Sequence, residues 1–197
     1  MITSRDRILV THVGSLPRNE ELSDLLLRRE EGQAIDKSQL ADAMDRGVRH
    51  VVEKQAAAGI DIGNDGEQQR VGFQTYVAQR MSGFAGESKR RRGRDYEEFP
   101  ELVEVLKHRF PKRSKMQNAP EAQSELRYLG SDAIREETDR LKRTVKAAGV
   151  FSECFMTAPS PGIISSTMLN AYYDSQASYL VALAPEMGKE YQAVHQA

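Results

Sequence analysis

A single cysteine, Cys154, stands among 197 residues. No disulfide can form within the chain, and a reducing, cytoplasmic setting is expected. No run of apolar residues approaches the roughly 18 that a membrane span requires. The first seven residues hold two arginines and no apolar stretch, so no signal peptide is expected. Charge of one sign is lacking too. The net formal charge is −1, which favours neither nucleic acid nor a membrane surface as a partner. There is no internal repeat. At 39% hydrophobic and 29% charged residues, the chain is polar for a globular protein but not disordered, and its length suits one domain.

What is present is an alternation of short apolar runs and amphipathic helices. Residues 8–13 read as a first strand, closed by Pro17. Asn19 is a candidate N-cap, followed by Glu20 and Glu21 in the first turn. Leu22, Leu25 and Leu26 then share a helix face, which Gly32 can end. The clearest helix follows. Asp36 caps it, Gln39 resembles a capping-box partner, and Leu40, Met44, Val48, Val51, Val52 and Gln55 form one stripe. Gly59 suits the left-handed residue after its end. Ile60 opens a second strand, so a βαβ unit with parallel strands is expected.

Residues 70–81 read as a weak helix, and residues 87–120 as an excursion outside the core. That excursion holds the basic run 89–94 and a modest helix at 102–110 ended by Pro111. The basic run lacks interleaved aromatics and lies beside Asp95, Glu97 and Glu98, which favours a solvated loop over a nucleic-acid patch. Residues 125–130 are a third strand candidate. A helix follows, capped by Ser131 or Asp132, with Ile134, Leu141, Val145 and Ala148 on one face. Pairs Glu136–Arg140 and Asp139–Arg143 have supportive i,i+4 spacing, and Gly149 ends it. Residues 150–156 are the fourth strand, with Cys154 as a small core residue. The loop Thr157 to Gly162 follows. Beyond Ser165 the sequence is helical, with Tyr172, Tyr173, Tyr179 and Leu183 as packing residues and a break expected at Pro185. Four strand–helix units in series predict an α/β fold with a parallel sheet, about half of a (β/α)8 barrel, in one domain over 1–197.

The polar residues cluster where two of these strands end. His12, Gly14 and Ser15 follow the first, and Asp65 and Glu67 follow the second, so all five are expected near one rim of the sheet. Strand carboxyl ends carry the sites of such folds. Each residue also has a plain structural reading. His12 can hold its turn by a hydrogen bond, Gly14 can serve for backbone freedom, and Asp65 and Glu67 can be polar strand ends.

The stretch His-Val-Gly-Ser-Leu-Pro-Arg at 12–18 and the stretch at 58–70, with Asp-Gly-Glu-Gln-Gln-Arg at its end, resemble the catalytic domain of cobalamin-independent methionine synthases and their shorter relatives. Epoxyalkane:coenzyme M transferase shares these motifs. The loop at 159–162 matches in kind. The resemblance implies a TIM-type barrel, here its first four βα units, and zinc-activated alkylation of a thiol. It implies homocysteine or a related thiol as substrate and a methylated folate as donor. By position, Gly14 and Ser15 would contact the thiol substrate's carboxylate and Glu67 its ammonium group. Turn N–H groups and a hydroxyl suit an anion, and a carboxylate suits an ammonium. The family's zinc ligands come from the second half of the barrel. Here His12, His50, His108 and His195 are scattered and Cys154 lacks a His-x-Cys context, so neither a zinc site nor a catalytic residue is expected within this chain. The implied function is therefore a methionine-synthase-type methyltransferase in truncated or split form, inactive alone. The alternatives are an epoxyalkane:coenzyme M transferase-like enzyme or a non-catalytic binding module. An open half-barrel face would favour self- or hetero-association.

Overall fold

The computed structural model describes residues 2–88, 93–109 and 119–197. It is a mixed α/β fold with, among the described residues, two separate small sheets rather than one. Strand β1 (Ile62–Gly63) pairs in parallel with β4 (Glu153–Cys154), and Thr11 bridges in parallel to Ile62 on the other side. The parallel arc thus has three positions among the described residues, and it does not close. The expected third parallel strand is instead β3 (Glu121–Tyr128), which runs antiparallel to β2 (Met81–Ala85) with a bulge between Ser82 and Phe84. The reason lies in its pattern. Ala122, Leu126 and Tyr128 are buried while Gln123, Ser124, Glu125 and Arg127 are exposed, the mark of a strand with one wet face.

Helices α1 (Glu20–Glu30) and α2 (Lys37–Ala57) form as their caps dictate. Asn19 accepts from the Leu22 N–H at 2.8 Å, and Asp36 accepts from Ser38 and Gln39 at 2.8 and 3.3 Å. Leu22, Leu25 and Leu26 pack on Leu40, Ala43 and Met44. The α2 stripe continues through Val48 and Val52, which meet Leu141 of α5 (Ser131–Ala148) over the outside of the arc. Gly59 and Gly149, at φ 76° and 65°, follow the ends of α2 and α5.

Five local expectations are overturned. Residues 70–81 make turns and a short 3-10 helix at Thr75–Gln79, because Arg70 and Arg80 are drawn inward as ion-pair partners. Helix α5 has no side-chain cap; Gly130 holds the cap position, and Arg140 turns to Asp45 and Gln69, at 2.6 Å each, rather than to Glu136. Pro185 lies inside an unbroken α7 (Gln176–Gln196), whose buried Tyr179, Leu183, Met187 and Glu190 flank it on both sides. That burial outweighs one lost backbone bond. Cys154 is exposed rather than in the core; strand β4 is only two residues long and open along one edge.

The remaining helices are α3 (Arg94–Glu98), α4 (Pro100–Arg109) and α6 (Pro161–Thr167). Of the basic run, 89–92 lies outside the described residues, as does Pro111. The largest apolar cluster joins β2 and β3 to α6 and α7 through Tyr76, Met81, Leu126, Ile164, Met168, Tyr179 and Leu183. Tyr173 stacks on Tyr179 at 5.7 Å between ring centres, so these two pack, whereas Tyr172 meets Tyr173 only edge-on and is exposed. No helix among the described residues is long and apolar enough to cross a membrane.

Candidate functional site

Three chain segments leave the carboxyl ends of the parallel arc and meet. They are 12–18 after the first position, 64–70 after β1, and 155–160 after β4. The first two interlock through their backbones. The Leu16 N–H donates to the Gly66 carbonyl at 3.0 Å, and Gln68 returns a side-chain bond to the Leu16 carbonyl at 2.8 Å. The Asn64 amide donates to the His12 carbonyl. Arg18 reaches across and donates to the carbonyls of Glu67, Gln68 and Arg70. Burial pushes its guanidinium below its usual value, against the pull of Glu67 and Asp65, so the side chain is spent on the backbone it braces.

That bracing holds an uncommon conformation. Glu67 has φ 56°, in the left-handed region that a side chain normally avoids. Its N–H donates to Asp65 at 3.0 Å, and Gln69 donates to the other Asp65 oxygen at 3.0 Å. Glu67 is 3% exposed. One oxygen accepts from the Ser15 hydroxyl and the other from the Thr157 hydroxyl, the latter at 2.9 Å. So Ser15, Glu67 and Thr157, one from each segment, form a single hydrogen-bonded group.

The structure brings Ser15 and Glu67 into direct contact. Asp65, 2% exposed, faces the turn and braces it. His12 bonds to the Gly14 carbonyl at 2.9 Å, which holds the 12–15 turn, and Gly14 takes φ 107° there. Among the described residues the N–H groups of Gly14 and Ser15 have no acceptor. Two free N–H groups and a buried carboxylate therefore sit side by side, a pairing suited to a small zwitterion.

Thr157 escaped the sequence reading, since a threonine in a Pro/Gly loop carries no signal of its own. So did the buried cluster behind it. Arg70, 1% exposed, bonds Glu137 through Nε at 3.1 Å and the Thr157 carbonyl through a terminal nitrogen. Arg80 pairs with Glu137 and with Glu190, the latter at 3.2 Å. Tyr76 and Tyr128 both donate to Glu190. Burial opposes the ionisation of Glu190, but Arg80 and Arg70 with the two tyrosine hydroxyls hold its carboxyl below the usual glutamate value. A signal for this existed. Glu137 falls on the stripe of Ile134, Thr138 and Leu141, and Glu190 on that of Leu183 and Met187, where a charge must have a buried partner.

The chemistry of the donor set does not fit zinc. No group of three His, Cys, Asp or Glu side chains among the described residues is placed to hold a metal ion. The imidazole of His12 is committed to its turn, and desolvation of the sulfur pushes the Cys154 thiol above its ordinary value, away from the thiolate a metal binds.

A family model described as the catalytic domain of cobalamin-independent synthase matches residues 8–118. Among solved structures, a B12-independent methionine synthase from Shewanella sp. W3-18-1, in complex with selenomethionine, aligns over 94% of this chain and 48% of its own, with a TM-score of 0.63 and 17% identity. A putative vitamin-B12-independent methionine synthase from Listeria monocytogenes aligns over 94% and 47%, with a TM-score of 0.60 and 18% identity. The chain thus spans about half the length of these structures, and the likeness is one of fold. No curated protein matches the sequence.

Proposed function

Because the chain belongs to the cobalamin-independent methionine synthase catalytic-domain family, we propose that it carries the thiol-substrate end of a methionine-synthase-type methyltransferase and recognises the amino-acid part of homocysteine. The observation that carries this reading is the buried Glu67 carboxylate, held by Ser15 and Thr157 where three parallel segments end. Glu67 takes the substrate's ammonium, and the Gly14 and Ser15 N–H groups take its carboxylate, while the Ser15 hydroxyl stays on Glu67. His12 and Asp65 belong to the site by holding the two turns. The selenomethionine of the Shewanella structure has the same ammonium and carboxylate, which supports an amino-acid ligand. A coenzyme M-type thiol has no ammonium to satisfy Glu67, so that alternative is disfavoured.

In this reading 1–197 is one partial TIM-type domain with 87–120 as an insertion, and it works in the cytoplasm. Zinc and the methylated folate donor belong to the whole enzyme. Zinc would be held by groups other than the described residues. The open edges of the arc are where the rest of such a barrel, from this polypeptide or another, would join.

Titration calorimetry with methionine or homocysteine tests the assignment. Glu67→Gln removes the charge and keeps the shape. A charge-assisted hydrogen bond contributes about 1.5–3 kcal/mol, so affinity should fall roughly 10- to 150-fold. An unchanged dissociation constant would remove Glu67 from the site.

A further inference from the structure

We propose that Thr157 is a positioning residue that fixes the rotamer of Glu67 and thereby sets a preference for thiols and thioethers bearing an α-ammonium group. This rests on the reading of Glu67 as the ammonium partner. The backbone of Glu67 is left-handed at φ 56°, so its side chain leaves the chain in an uncommon direction and needs an outside support to settle in one orientation. Two hydroxyls supply it. Ser15 stands on an exposed turn, where the ligand itself would bind. Thr157 is different. Its hydroxyl holds the second Glu67 oxygen at 2.9 Å, and its own carbonyl is held by Arg70.

Arg70 cannot move without breaking the interior. It is 1% exposed, hydrogen-bonded to Glu137 through Nε at 3.1 Å, ion-paired with the same carboxylate at 3.0 Å, and stacked on the Tyr76 ring at 4.3 Å. The orientation of Glu67 is thus inherited from a buried ion pair through one threonine, before any ligand arrives. Each carboxylate oxygen holds one hydroxyl and keeps a lone pair for the incoming ammonium. Such a pre-set partner strengthens recognition because no ordering cost remains at binding.

The test uses the full chain with Thr157→Val, which removes the hydroxyl at constant shape, and Thr157→Ser, which restores it. Methionine is compared with 4-(methylthio)butanoate, the same molecule without its ammonium. The preference for methionine should fall about tenfold in the valine variant, as expected for one lost hydrogen bond to a charged group, and return in the serine variant. A preference kept by Thr157→Val overturns the proposal. If the wild-type chain shows no preference at all, the Glu67 reading fails instead. The second half of the proposal is then decided by three-bond NMR couplings of Glu67 without ligand. A single χ1 rotamer in wild type and serine variant, averaged in the valine variant, supports positioning by Thr157. One rotamer in all three refutes it.

Discussion

Glu190→Gln makes the sharpest demand on the fold. Glu190 is fully buried, and its carboxylate receives two tyrosine hydroxyls and the Arg80 guanidinium, with Arg70 3.8 Å away. In the wild type the two arginines face the two carboxylates of Glu137 and Glu190. The amide variant leaves two guanidiniums to Glu137 alone. Breaking a buried ion pair by removing one partner costs about 3–5 kcal/mol. The retained amide oxygen still accepts a hydroxyl, so the low end, about 3 kcal/mol, applies. For a domain of this size each kcal/mol shifts the melting temperature by about 2–4 °C, giving a loss of roughly 6–12 °C. Urea unfolding should show a lower midpoint with an unchanged slope. The pH dependence follows from the lowered carboxyl of Glu190. A depressed carboxylate contributes stability that is present above its unfolded value, about 4.3, and is lost as pH falls through the folded value. The wild type should therefore weaken below about pH 4 more steeply than the variant. A variant that melts within about 2 °C of wild type, with the same acid profile, would refute the view that this cluster couples α7 to α5 and β3.

Two other outcomes are expected. Gly63→Ala places a methyl group 2.3 Å from two ring carbons of Phe151, so it should cost about 1–3 kcal/mol as an overpacked site; in a Phe151→Ala background the cost should shrink, and an equal cost there would show that the ring is not the obstacle. The purified chain supplied with zinc, homocysteine and a methylated folate should transfer no methyl group above background, and turnover would refute the assignment of only the thiol-binding end to these residues.

The sequence was most legible where short-range rules act alone. Asn19 and Asp36 cap their helices because a side-chain oxygen two or three residues before an unpaired N–H needs nothing else. The α2 stripe and the glycines after α2 and α5 are of the same kind. It was least legible where a distant partner decides. Residues 70–81 look weakly helical, yet Arg70 and Arg80 are pulled toward glutamates 57 to 120 positions away along the chain. The same holds for Pro185, whose local penalty is outweighed by burial on both sides. Strand β3 was found, but its partner was misjudged, since pairing direction depends on β2, a five-residue strand interrupted by Gly83 at φ 93°.

The two motifs gain a common physical meaning from their contacts. Ser15 binds the Glu67 carboxylate, while Leu16 and Arg18 bind backbone groups from Gly66 to Arg70. Only the side chains of Ser15 and Glu67 meet where a ligand would lie; Asn64, Asp65, Gln68 and Arg18 serve to keep a left-handed glutamate in place. A non-glycine residue at positive φ costs of order 1–3 kcal/mol and persists only when its surroundings over-determine it. Arg18 alone supplies bonds to three carbonyls of that turn, and Asp65 and Asn64 hold the N–H groups of Glu67 and Gly66. So much support for one turn is hard to explain by stability, because a glycine at 67 would adopt the same backbone without strain. It is explained if the side chain at 67 must be a carboxylate, aimed at one point, in a place where the backbone disfavours any side chain.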